Sequence, residues 1–119
     1  LILDEELAKR GFSPAPCGAE CPPGWHSLVC ELLDKLQGKC EIAQIKEKFG
    51  QLRVYSDPLP DWSGDWPEIE GLIAEASIAS ETICEVCGAP SKRESDGWIS
   101  VLCELHREEQ KEKRRNYGK

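Results

Sequence analysis

No stretch of this 119-residue chain is apolar for anything near the roughly 20 residues a membrane span needs, so no transmembrane segment is expected. The opening Leu1–Glu6 has neither the basic nor the apolar region of a signal peptide. Leucine at position 1 points to a trimmed chain or an offset numbering. The sequence has no Walker loop, no glycine-rich dinucleotide turn, no G-x-S-x-G elbow and no internal repeat. Aromatic residues make up 7% and hydrophobic residues 39%. Such a core is modest, and a domain this small is expected to need a staple. The length fits one domain, or one with a small appendage, and is too short for a two-lobed enzyme with a cofactor crevice.

Positive charge is missing from a long stretch. Between Val54 and Pro90 there is no Lys or Arg, while Asp57, Asp61, Asp65, Glu68, Glu70, Glu75, Glu81 and Glu85 all fall there. The net charge of −7 argues against a protein that coats DNA generically. The basic residues gather at Lys46–Arg53 and in the tail at Lys111, Lys113, Arg114, Arg115 and Lys119.

What is present is cysteine, seven in all. An odd count without a secretory leader speaks against a disulfide framework and for reduced, metal-binding thiols. Cys84 and Cys87, then Cys103 and His106, form a C-x2-C-x15-C-x2-H pattern. Two close pairs of such ligands suit tetrahedral Zn²⁺. Gly88-Ala89-Pro90 allows the tight turn of a knuckle, and Asp96-Gly97 is a hairpin signal between strands near 91–95 and 98–102. Knuckle, hairpin and helix in that order make a treble clef, with a zinc ribbon as the nearby alternative. All four positions come from protein, so the metal is expected to be structural; a catalytic zinc keeps one position open for water.

A weaker set is Cys17, Cys21, His26 and Cys30. His26 and Cys30 are one helical turn apart, and the preceding loop could bring the other two to them as a second metal site. The blander reading is free thiols, with Cys30 beside an apolar stripe. Cys40 belongs to no pattern.

The elements follow from periodicity. A short helix is expected over 4–10, with Asp4 as a candidate N-cap. A helix over 23–37 follows from Trp25, Leu28, Val29, Leu32, Leu33 and Leu36 on one face. Residues 41–56 read as a β-hairpin. A further helix starts near Trp66, with Asp65 as N-cap and Ile69, Leu72, Ile73, Ala76 and Ala79 buried. A charged helix closes the chain over 107–115. The expected fold is therefore α+β: two helices on a small antiparallel hairpin over 1–81, then a zinc module over 82–119 packed as one unit with it.

The strings Glu20-Cys21-Pro22-Pro23-Gly24-Trp25, Ile45-Lys46-Glu47-Lys48-Phe49-Gly50-Gln51-Leu52-Arg53-Val54-Tyr55, Cys84-x-x-Cys87-Gly88-Ala89-Pro90 and Asp96-Gly97-Trp98 to Cys103 resemble a group of small phage and prophage proteins without assigned activity. The resemblance spans most of residues 20–110. It implies an intracellular setting, the cytoplasm of an infected or lysogenic bacterium. The chain departs from the group at Pro22-Pro23, where Gly-Asp is usual, and at His106, where Cys is common.

Three functions are weighed, in order. The first is a protein–protein interaction module that binds a host or phage protein, such as a defence nuclease, through Trp62 and Trp66 in an acidic loop. The second is nucleic-acid binding through Lys46, Lys48 and Arg53 with the basic tail, Phe49 or Tyr55 stacking on bases. The third is a small metal-dependent nuclease or a Cys nucleophile activated by His26. The second histidine is already committed to the metal pattern and no His-x-Glu companion accompanies the Cys pair, so catalysis is not expected.

Overall fold

A computed structural model describes residues 2–61, 64, 66–95 and 98–117. Among the described residues the chain forms four α-helices and two antiparallel hairpins, an α+β architecture.

Helix α1 (Leu3–Lys9) begins one residue before the expected start. Asp4 therefore lies inside the first turn instead of capping it. Asp4, Glu5 and Glu6 there, and Lys9 in the last turn, oppose the helix dipole favourably. The expected helix over 23–37 divides into a 3₁₀ turn, Pro23–Trp25, and helix α2 (His26–Leu36). The Trp25 N–H bonds the Pro22 carbonyl at 3.0 Å, the tighter three-residue step, and the Gly24 N–H, a first-turn donor with no partner inside the helix, bonds the Glu85 carbonyl. Val29, Leu32, Leu33 and Leu36 of α2 are buried as expected, and so is Trp25.

Strands β1 (Cys40–Lys48) and β2 (Gln51–Pro58) pair antiparallel, Ile45 opposite Val54 and Lys46 opposite Arg53, with a bulge between Ile42 and Gln44. The two turn residues both have positive φ, Phe49 at 54° and Gly50 at 72°. That matches a primed turn, whose twist suits the strands. One sheet face carries Ile45, Leu52 and Val54 into the core. Helix α3 (Trp66–Ser80) packs on β2, where the Leu52 N–H donates to Ser80 Oγ at 2.9 Å. Ile69 and Ala76 are buried, with Leu72, Ile73 and Trp66 half-buried against the same core. Asp65, the expected cap of this helix, lies outside the described residues.

Strands β3 (Lys92–Ser95) and β4 (Ile99–Leu102) form the second hairpin. Its expected turn, Asp96-Gly97, lies outside the described residues. Val101 of β4 belongs to the main hydrophobic core and Ile83 packs against it, so the second hairpin sits directly on the first part of the chain. Helix α4 (Glu104–Tyr117) starts immediately after Cys103, three residues before expectation. At about 1.5 Å per residue its 14 residues span roughly 21 Å. Residues 111–116 are exposed.

Candidate metal centre

The centre is built where the chain leaves α3. Cys84 N–H donates to the Ala89 carbonyl at 2.8 Å, and Gly88 N–H returns to the Cys84 carbonyl at 3.0 Å. These two bonds close the turn that holds Cys84 and Cys87 on one side. Cys103 follows β4, and His106 stands in the first turn of α4, so the hairpin carries the second pair to the first.

The four ligand atoms lie within 4.8 Å of one another, close enough to hold a metal ion. Cys87 Sγ is 3.8 Å from Cys103 Sγ, and His106 Nδ1 is 3.6 Å from Cys84 Sγ and 3.1 Å from Cys103 Sγ. Cys84 is buried and Cys87 exposed, with Cys103 and His106 between. Burial alone would raise the Cys84 thiol. Hydrogen bonds from the backbone of Cys103, Cys87 and Val86, with the Cys87 side chain, outweigh it and bring Cys84 down to about 6. Cys87 moves the other way. The backbone of Ala89 lowers it, but desolvation and the Cys84 and Cys103 sulfurs outweigh that. One sulfur is thus predisposed to the thiolate form that ligates metal.

The knuckle is seated on the first part of the chain. Gly24 N–H donates to the Glu85 carbonyl at 2.7 Å, and the Trp25 indole N–H to the Ile83 carbonyl at 2.9 Å. A Cβ on Gly24 would collide with the Cys84 carbonyl oxygen and lie 2.7 Å from the Glu85 carbonyl carbon. Glu85 in turn locks β4: its N–H donates to the Val101 carbonyl at 2.8 Å, and its Oε1 accepts from the Val101 N–H at 3.2 Å. Burial raises the Glu85 carboxyl above its ordinary value, against that hydrogen bond.

Cys17, Cys21, His26 and Cys30 are not assembled in the same way. Among the described residues, the set of three or more ligands in metal-holding reach is the one around Cys84. Cys17, Cys21 and His26 line an open groove beside Gln44 and Lys46. His26 Nε2 sits 3.2 Å from the Cys21 carbonyl, and Cys30 Sγ faces Glu6 Oε1 at 3.8 Å. Residues 17–20 pair with β1 through an isolated parallel bridge, Ala19 with Ile45, with bonds from Cys17 to Ala43 and between Gly18, Glu20 and Ile45, and Cys17 stands exposed at its start.

Of the expected partner anchors, Trp66 is half-buried against the core and Trp62 lies outside the described residues. Lys46, Lys48 and Arg53 do share one face. The register places Gln44, Lys46, Lys48, Gln51, Arg53 and Tyr55 on the side of the hairpin away from α3. None of the three cations forms an ion pair among the described residues. Lys46 Nζ lies 5.8 Å from the Tyr55 ring centre, and Lys48 Nζ 5.6 Å from that of Phe49. Arg53 Nε is buried with no acceptor. The carboxylates of Glu41 and Asp57 share this face only beyond the bulge, at the far end from the turn.

Sequence reasoning missed Gly24, Glu85 and Trp98. Gly24 stood in a quoted string, but no local pattern tells that its partner is Glu85. Comparisons with protein-family models, with curated proteins and with solved structures returned no match for this chain.

Proposed function

We propose that this chain is a small zinc-stabilised module that binds nucleic acid through the cationic face of its first hairpin, without catalysing a reaction. Zinc fits the ligand cluster by size. A tetrahedral ion with Zn–S near 2.3 Å and Zn–N near 2.05 Å sets two sulfurs about 3.8 Å apart and a sulfur and nitrogen about 3.6 Å apart. The Cys87–Cys103 and Cys84–His106 separations are 3.8 and 3.6 Å, while Cys103 and His106, at 3.1 Å, must part by about 0.5 Å to admit the ion. With four protein ligands the zinc is structural, in a treble-clef order of knuckle, hairpin and helix.

The observation that carries the binding reading is the face itself. In a chain of net charge −7, Lys46, Lys48 and Arg53 lie together, without ion pairs among the described residues, and interleaved with Tyr55 and Phe49. Solvated surface cations in an acidic protein ordinarily find carboxylates, so a row left free near the turn fits a polyanion. The protein-partner reading has less behind it, since of its two anchors Trp66 is half-buried against the core and Trp62 lies outside the described residues. From the resemblance, the setting we propose is the cytoplasm of a phage-bearing bacterium.

The test is oligonucleotide binding across a salt series. Three cations on a single strand predict a log–log slope of about −2, with affinity rising as salt falls. The triple variant Lys46→Ala, Lys48→Ala, Arg53→Ala should flatten that slope. Affinity that is unmoved by salt, or by the triple substitution, would sink the reading.

A further inference from the structure

The turn of the first hairpin faces the strand ends of the second. Glu47, Phe49, Ser95, Trp98 and Ile99 line a cleft of about 430 Å³ between them. Both rings are exposed, Phe49 by 58% and Trp98 by 66%. Phe49 reaches that position at a cost. Its φ of 54° is one that bulky residues rarely adopt, and glycine or asparagine would fit the turn better. The turn is held from three sides. Gly50 N–H donates to Glu47 Oε2 at 2.8 Å, Arg93 Nε donates to the Phe49 carbonyl at 2.8 Å, and Gly50 is packed so closely that a Cβ would lie 3.0 Å from Ile99 Cγ2. The surrounding contacts therefore fix an exposed ring in a strained conformation, as occurs where a side chain is presented to a ligand.

We infer that this cleft is a base-stacking site, so that the nucleic acid this chain takes is single-stranded. The inference rests on the polyanion reading above and adds to it. Lys48 connects the two features, since it belongs to the cationic face and its ammonium sits over the Phe49 ring. A strand whose phosphates follow Arg53, Lys46 and Lys48 arrives at Phe49 and Trp98 with its next base unpaired. Aromatic faces stack on any base once it is out of a duplex. A duplex keeps its bases inside, so it would engage the cations and leave the cleft empty. Charge complementarity selects this occupant over an apolar peptide: Lys48 and Arg93 stand at the rim of the cleft, and Glu47, the carboxylate that lines it, is taken up by the Gly50 N–H.

The test uses the zinc-loaded full chain and a labelled oligothymidylate of about 16 nucleotides, with a duplex of equal length beside it. The single strand should bind more tightly than the duplex. Trp98→Ala and Phe49→Gly should each weaken single-strand binding about 5- to 150-fold, and Trp98→Ala should leave duplex binding unchanged. Phe49→Gly suits the positive φ of the turn, so misfolding does not confound it. Equal affinity for both nucleic acids, unmoved by either variant, overturns the inference and leaves the cationic-face reading standing. Binding of neither at low salt overturns both and leaves a protein as the occupant of the cleft.

Discussion

The backbone N–H of Gly24 donates to the carbonyl of Glu85 at 2.7 Å, and the space between the two strands of chain admits no side chain. This contact fixes the Cys84–Cys87 turn to the 3₁₀ turn that precedes α2. The buried Trp25 beside it, bonded to Ile83, makes the same join one residue on. Gly24→Ala should force the knuckle off its seat. A loss of roughly 2 kcal/mol is expected, by the mechanism of overpacking, and a denaturant melt measures it. Gly71 has nothing within 4 Å of a Cβ, so Gly71→Ala in α3 is the control and should be neutral or stabilising.

Thiol labelling separates the seven cysteines. With metal bound, Cys17 is the exposed thiol outside the cluster and should react first. Burial pushes Cys21 up to about 12, with the nearby Cys30 adding to it. Burial also pushes Cys40 up to about 11, with Glu41 and Asp57 adding to it. Both should be inert near neutral pH, because the thiolate is the reactive form. A chelator should release Cys84, Cys87 and Cys103 to reaction. A disulfide reagent such as Ellman's, followed in time with and without chelator, reads the difference. Rapid reaction of the Cys84 set before chelation would argue against metal binding.

Glu6 gives the chain an acid-sensitive point. Hydrogen bonds from Lys9 and Arg10 hold its carboxyl below its ordinary value of 4.5, against burial. A group whose folded value is depressed stabilises the fold above its unfolded value, and that stability is lost as pH falls through the folded value. Stability supplied by Glu6 is therefore complete above about pH 4.5 and fades below it. Glu6→Gln should be less stable at pH 7 and show a flatter stability profile below pH 4.5. Urea melts at a series of pH values test this. A profile parallel to that of the unchanged protein would contradict the assignment.

Phe49 should be a stabilising site to mutate. The left-handed conformation costs a non-glycine residue about 1–2 kcal/mol, and asparagine tolerates it. Phe49→Asn is expected to raise the stability by about 1 kcal/mol, read as an upward shift in melting temperature. A drop in stability would mean that the exposed ring contributes to the fold more than its turn costs.

Much of this architecture was legible because its signals are local. The apolar face of α2, the alternation of Leu52 and Val54 against Arg53 and Tyr55, and the two ligand pairs all lie within short windows. Three features needed the folded chain. The partner of the Gly24 N–H at the start of the expected 23–37 helix is Glu85, some sixty positions on. The scatter of Cys17, Cys21, His26 and Cys30 follows from residues 17–20 pairing with β1, which a count of spacings does not show. The half-burial of Trp66 depends on how α3 packs, and an acidic, proline-rich neighbourhood gives no hint of it.

The most direct measurement is the metal content of the purified chain by native mass spectrometry, on the unchanged protein and on Cys84→Ser and His106→Ala. The account predicts one zinc per chain, lost or sharply weakened in both variants, with residues 82–117 loosened in hydrogen exchange. A chain that carries no metal, or variants that keep a full equivalent, would contradict it.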